Sequence, residues 1–175
     1  MSYFSMFPEV IYDSKGNDNY TLFKNIFRRV KLSNSAQKNI MEFDYYDVQD
    51  GETPEMIAFK YYGDPELHWV ILVINDVTDY YSDWPKSVQT FEQYIKEKYT
   101  NPAGIHHYEI EQTSGDTTEM IDVGMNTTDY PSAFPVSNYQ YEEKIQDKIR
   151  QIRLIQPQYI EDFVEEFEKK LKEGA

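Results

Sequence analysis

Apolar positions are dense along the first forty residues, but their spacing changes. Phe4, Phe7, Val10, Ile11 and Tyr12 run up to a Lys15-Gly16-Asn17-Asp18 turn. Phe23, Ile26, Phe27 and Val30 then recur at i, i+3, i+4 and i+7, the period of one helical face. Residues 1–40 therefore read as an extended aromatic arm that passes into a short helix over Thr21–Val30, broken at Ser33-Asn34-Ser35. Phe43–Val48 is aromatic and β-branched and meets Gln49-Asp50-Gly51, which predicts a strand ending in a turn. Thr53-Pro54 supplies a capping hydroxyl and a first-turn proline for a helix that carries Ile57, Ala58, Tyr61 and Tyr62 inward and stops at Gly63. Asp64-Pro65 repeats the start signal for a second helix, which contains the run from His68 to Ile74 before Asn75. Being apolar on nearly all sides, that helix is expected to be covered on nearly all sides.

Val77–Pro85 is acidic and aromatic and reads as contact surface. A helix is predicted over about Thr90–Tyr99, ended by Asn101-Pro102. Tyr108-Glu109-Ile110-Glu111 and Met120-Ile121-Asp122-Val123 flank Ser114-Gly115-Asp116 as a β-hairpin, and Asn126–Ser137, with two prolines, reads as a loop or linker. A helix near Tyr139–Asp147, a strand at about Arg150–Ile155 and a helix from Pro157 complete the chain. In the last helix Ile160, Phe163, Val164, Phe167 and Leu171 share a face, and Glu165–Lys169 and Glu166–Lys170 are i,i+4 pairs. The predicted class is α+β. Residues 1–40 form the arm and short helix, 41–85 a small β-α-α module, 86–137 a helix with hairpin and linker, and 138–175 a C-terminal helix–strand–helix elaboration.

Composition narrows what such a chain can do. Its 175 residues suit one small domain with extensions, and 40% hydrophobic content argues against disorder. The 16 tyrosines favour surfaces where proteins meet, because each buries a ring while keeping a hydroxyl for a polar partner. With 31 acidic against 17 basic residues, the net charge of −14 repels phosphate backbones, so no nucleic-acid partner is expected. Cysteine is absent, which removes disulfides, zinc ribbons and thiol nucleophiles. Met1–Phe7 lacks the basic and apolar regions of a signal peptide, and the longest apolar run, Trp69–Ile74, is far too short to span a membrane. Two matches to the glycosylation pattern, at Asn19 and Asn126, are read as chance.

No catalytic, metal or cofactor site is predicted. His106 and His107, adjacent on a strand, would point to opposite faces, and His68 stands alone. Glu52, Asp76, Asp79 and Asp83 flank a presumed groove, yet nothing there marks a raised-pKa acid of the kind a glycosidase needs. Asp13–Asp18 lacks the ligand alternation and distal glutamate of a calcium loop.

The stretch from Tyr46 to Gly63 resembles the opening of a LysM module. It has a strand with Tyr46 and Val48, then Gly51-Glu52-Thr53, Ile57-Ala58 inside a helix, Tyr62-Gly63, and Asn75 where a second helix ends. Glycine permits the turn, threonine caps the helix, and Ile-Ala lets it pack closely on the strand. A closing strand of LysM type is hard to find after Asn75, and Asp76–Pro85 occupies its place. That stretch, with Tyr62–Leu72, is similar to the baseplate wedge subunit 53 family of contractile-tailed phages. So are Phe7-Pro8, Asn25–Arg28, Tyr94–Asn101 and Arg150–Ile155 leading into the final helix.

The resemblance implies a virion protein of the tail baseplate, assembled in the host bacterial cytoplasm, with no catalytic role. It would join neighbouring wedges of a six-fold assembly and connect them to the central hub, binding other wedge and hub proteins. Phe4, Phe7, Tyr80, Tyr81, Trp84 and Pro85 are the expected partner-binding residues. The alternative is a LysM-type peptidoglycan or chitin binder using Asp50, Gly51, Glu52, Thr53, Ile74 and Asn75; a single copy without linkers or an attached enzyme disfavours it.

Overall fold

A computed structural model describes residues 3–28, 30, 43–112, 119–125 and 127–173. In chain order the elements are β1 (Glu9–Tyr12), β2 (Thr21–Lys24), β3 (Phe43–Asp47), α1 (Pro54–Tyr62), α2 (His68–Ile74), the single turn α3 (Tyr80–Asp83) and α4 (Val88–Lys98). There follow β4 (Ile105–Glu111), β5 (Met120–Gly124), β6 (Phe134–Ser137), α5 (Asn138–Arg150), β7 (Gln151–Ile155) and α6 (Ile160–Glu173). The chain is α+β and divides into two compact units, Met1–Trp84 with Gln151–Ala175, and Pro85–Arg150. The C-terminal helix–strand–helix is thereby split: α5 belongs to the second unit, β7 and α6 to the first. The expected break at Ser33-Asn34-Ser35 and the hairpin turn at Ser114-Gly115-Asp116 lie outside the described residues.

The arm departs from expectation. Thr21–Lys24 is a strand and not the start of a helix; it pairs antiparallel with β1, setting Val10 opposite Phe23 and Ile11 opposite Leu22. The cause is the intervening loop. The Asp13 carboxylate accepts N–H bonds from Lys15 at 3.0 Å and from Gly16 and Asp18 at 2.8 Å, while Gly16 and Asp18 turn the chain at φ of 65° and 61°. Folded back in this way, two β-prone runs satisfy each other's backbone groups, and the helical spacing of Phe23, Ile26 and Phe27 is overridden.

The first unit is organised by β3, which pairs antiparallel with β7 so that Phe43 faces Ile155 and Asp47 faces Gln151. Helix α1 starts and stops where the sequence predicts; α2 stops before Asn75 as predicted but starts at His68, later than the Asp64-Pro65 signal. Thr53 Oγ1 accepts from Met56 N–H, Gly63 ends α1 at φ 79°, and the Asp64 carboxylate accepts from Glu66 N–H. Pro65–Leu67 forms a 3-10 turn ahead of α2. Against the expected cover on nearly all sides, α2 is covered on two, and His68, Leu72 and Val73 stay half-buried at the wall of a groove. Trp69, Val70 and Ile74 join Phe7, Ile155 and the α6 face of Phe163, Phe167 and Leu171; Ile71 joins Val48, Ile57, Ala58, Trp84 and Leu154. The ion pairs of α6 run further along the helix than Glu165 and Glu166, linking Lys172 to Glu168 and Lys169 to Glu173.

In the second unit, strands β5-β4-β6 form one antiparallel sheet. The end of the expected linker is thus a strand, β6, and it accommodates Pro135 because it lies at the sheet edge, where a missing N–H costs no ladder bond. The register slips between Ile105 and His107. The slip overturns the expectation of opposed histidines: their Nδ1 atoms lie 2.9 Å apart, one ring donating to the other, while His106 stacks on Tyr141.

All four buried polar or charged side chains of the described chain, His107, Glu109, Glu142 and Gln146, fall in this unit, beside buried Phe91, Ile95 and Val136. Glu142 accepts from Lys98 Nζ and Tyr99 Oη, both at 2.7 Å, and from Tyr94 Oη at 3.3 Å. Glu109 accepts from Lys144 and sits 3.0 Å from His107 Nε2. Burial pushes both carboxyls upward, but the lysines and their hydrogen bonds outweigh it and hold both below the ordinary glutamate value of 4.5. A depressed folded pKa adds stability that is complete above about pH 4.5 and is lost as pH falls through the folded value. Between pH 6 and 3, amide protection in α4 and α5 is therefore expected to collapse before that in α2 and α6, as read by hydrogen exchange. Glu142→Gln should blunt this acid sensitivity while costing about 2 kcal/mol at pH 7.

Candidate functional site

The motif residues converge in the first unit around the turn between β3 and α1. Gly51 adopts φ 75°, where a side chain would be strained. The Glu52 carboxylate accepts from Gln49 N–H at 2.9 Å, from Tyr46 Oη at 2.8 Å and from Lys60 Nζ at 3.3 Å. Burial would raise its pKa, and these donors reverse that and hold it low. Val48, Ile57 and Ala58 are buried beneath the turn, and Tyr62 packs against their cluster.

At the far end of α2, Asn75 acts as a bracket. Its Nδ2 donates to the carbonyls of Ile71 and Arg153, both at 2.9 Å, and its Oδ1 accepts from Arg153 N–H at 2.8 Å. A side-chain amide here imitates one residue of a strand on the edge of β7 that β3 does not use. Arg153 returns the contact by donating Nη2–H to the carbonyl of Ile74 at 3.0 Å.

Two expected surface anchors are core residues. Trp84 is 3% exposed: its indole N–H donates to the Glu52 carbonyl at 2.9 Å, and its ring fills the cluster under the turn. Phe7 is equally buried, against Trp69 and α6. Aromatic composition alone does not separate an anchor from a plug; each of these rings faces a matching apolar face of the same chain. Phe4, Tyr80 and Tyr81 are exposed, Tyr81 at 84%, and Tyr80 stacks on Trp84. Pro85 opens the second unit.

Sequence reasoning missed the outer face of α1, where Met56 and Phe59 are exposed three residues apart on the side away from Ile57 and Ala58. It also missed the apolar surface of the β1–β2 hairpin. Two short β-prone runs of equal length around a turn were its signal.

The chemistry of the turn is that of a braced structural corner. The Glu52 carbonyl is taken by Trp84, both ends of the Asn75 amide are taken by β7, and no group of three histidine, aspartate or glutamate side chains among the described residues could hold a metal. A sugar-binding role for Asp50, Gly51, Glu52, Thr53, Ile74 and Asn75 finds no support.

The sequence profile described as Base plate wedge protein 53 matches residues 2–130. The chain belongs to that family. Over 134 residues it is 28% identical to Baseplate wedge protein gp53 of Enterobacteria phage T4, an alignment covering 68% of each chain. In this family member the matched span ends before β7 and α6, so the segments that complete the first unit lie outside it.

Urea unfolding separates plug from surface residue. Trp84→Ala is expected to cost about 3–5 kcal/mol and Tyr81→Ala less than about 0.5 kcal/mol. Asn75→Ala, which orphans the backbone groups of Arg153, should cost about 2–3 kcal/mol.

Proposed function

We propose that this chain is a structural, non-catalytic subunit of the wedge of a phage tail baseplate, joining neighbouring wedges and tying them to the central hub. The observation that carries the reading is the family match across residues 2–130. The surface agrees with it: Phe4, Tyr80 and Tyr81 stand exposed in the first unit, and a few such aromatics dominate the energy of a protein interface. They are the proposed anchors, with Pro85 beside them in sequence.

The unit of β3, α1, α2 and β7 serves as a LysM-like scaffold that binds protein. Strand, two helices and an antiparallel closing strand occur in that order, and the closing strand missed directly after Asn75 is supplied by β7, beyond the second unit. No helix of the described residues is long and apolar enough to cross a membrane, and the acidic surface suits basic or neutral protein partners. In the proposed setting the subunit works in the virion, in a hetero-oligomeric baseplate of six-fold symmetry.

Co-expression with the other wedge proteins of the same virus, followed by pull-down and electron microscopy of the assemblies, tests this. The chain should be traced in density at wedge junctions. The double variant Phe4→Ala, Tyr81→Ala should bind about 30-fold more weakly while its melting temperature moves by less than about 2 °C. A chain that never joins the wedge proteins would refute the assignment.

A further inference from the structure

The β1–β2 hairpin is an unfinished sheet. All eight of its strand residues are exposed, and it pairs with no third strand among the described residues. The register puts Val10, Tyr12 and Phe23 on one face, and on the other Ile11 and Leu22 beside the paired Glu9 and Lys24, so both faces carry exposed apolar side chains. A two-stranded ribbon is marginal in water, and an apolar ribbon with open edges invites a further strand. Past β2, Ile26 and Phe27, the latter 95% exposed, line with Phe4 and Leu72 a groove of about 670 Å³ whose wall also carries Arg28, Glu66 and Asp76.

We propose that this hairpin is completed by an extended, uncharged apolar segment of another baseplate subunit, which adds as a strand to a free edge and covers the adjoining side chains. The proposal rests on the wedge reading above.

Three observations select this occupant. Area is the first. An aromatic side chain offers roughly 150–250 Å². The exposed fractions of the apolar hairpin residues, Ile26 and Phe27 then leave on the order of 800 Å², about one partner's share of a standard interface. Charge is the second. The strands carry only Glu9 and Lys24, which pair with each other at 3.2 Å, so the ribbon is neutral on a chain of net charge −14. A neutral ribbon selects an apolar strand over a basic one, and the charge of the whole disfavours a second copy of this chain.

Hydrogen-bond phase is the third. Asn25 N–H donates to the Pro8 carbonyl at 2.8 Å just outside the ladder. By the alternation of antiparallel bonding, Ile11 and Leu22 then form a pair whose N–H and C=O groups point away from each other, one set on each open edge.

The test uses the full-length chain co-expressed with the other wedge proteins of its virus. Hydrogen exchange at the Ile11 and Leu22 amides should be fast in the free chain and slow by about a hundredfold at one of them after assembly. The double variant Ile11→Asp, Leu22→Asp touches neither core cluster. It should keep its melting temperature within about 2 °C and enter assemblies at least about tenfold less well. Equal incorporation of the variant, fast exchange at both amides in the assembly, or a free chain that dimerises through these residues would each overturn the proposal. Failure of the unaltered chain to join the wedge proteins would instead overturn the wedge assignment, and this proposal with it.

Discussion

The pairing of β3 with β7 is the constraint on which the first unit depends. A strand of five residues has no stability alone, and β3 has no partner near it in sequence. Its partner arrives only after the whole of the second unit. Once in place, β7 turns Ile152 and Leu154 into one core and Ile155 into the other, so a single short strand closes both. The Asn75 amide occupies its second edge and fixes the end of α2 to the same strand. A long insertion between α2 and β7 is tolerable because loop-closure entropy grows only with the logarithm of length. The fold therefore needs the right residues at β7 far more than it needs a short path to them.

The two units are stabilised by different physics. The first is held by aromatic and aliphatic packing around α2, with charges kept to rims and caps. The second packs α4 and α5 through ionised groups withdrawn from water, with Glu142 shared by a lysine and two tyrosines. Buried ions add little net stability because desolvation offsets attraction, but they punish any arrangement that leaves one unpaired. Apolar packing dominates the first unit; in the second, buried Phe91, Ile95 and Val136 are joined by directional bonds to buried carboxylates.

Local signals were legible and remote ones were not. Thr53, Pro54, Gly63 and Asp64 announce their helix ends because capping depends on residues within a turn of one another. The α6 face and the β4–β5 pairing could be read for the same reason. The strand at β7 was visible as a strand, but its role as partner of β3 was not, since nothing in a β-prone run states what it pairs with. Trp84 and Phe7 look like surface anchors in an acidic aromatic context, and only the three-dimensional meeting with Glu52 or α6 makes them core. The arm misled in another way: Phe23, Ile26, Phe27 and Val30 fit a helical period by accident, while the Asp13 loop that decides the matter lies outside that window.

The late position of β7 has a consequence for biosynthesis. A ribosome delivers the chain from its N-terminus, and α2, apolar on almost every side, emerges while β7 and α6, which supply part of its cover, are still untranslated. At ordinary elongation rates the delay lasts seconds, long enough for encounters with other nascent chains. The negative charge of the polypeptide, which lies beyond the basic first forty residues, would keep such half-made molecules apart until β7 and α6 appear and the core can shut.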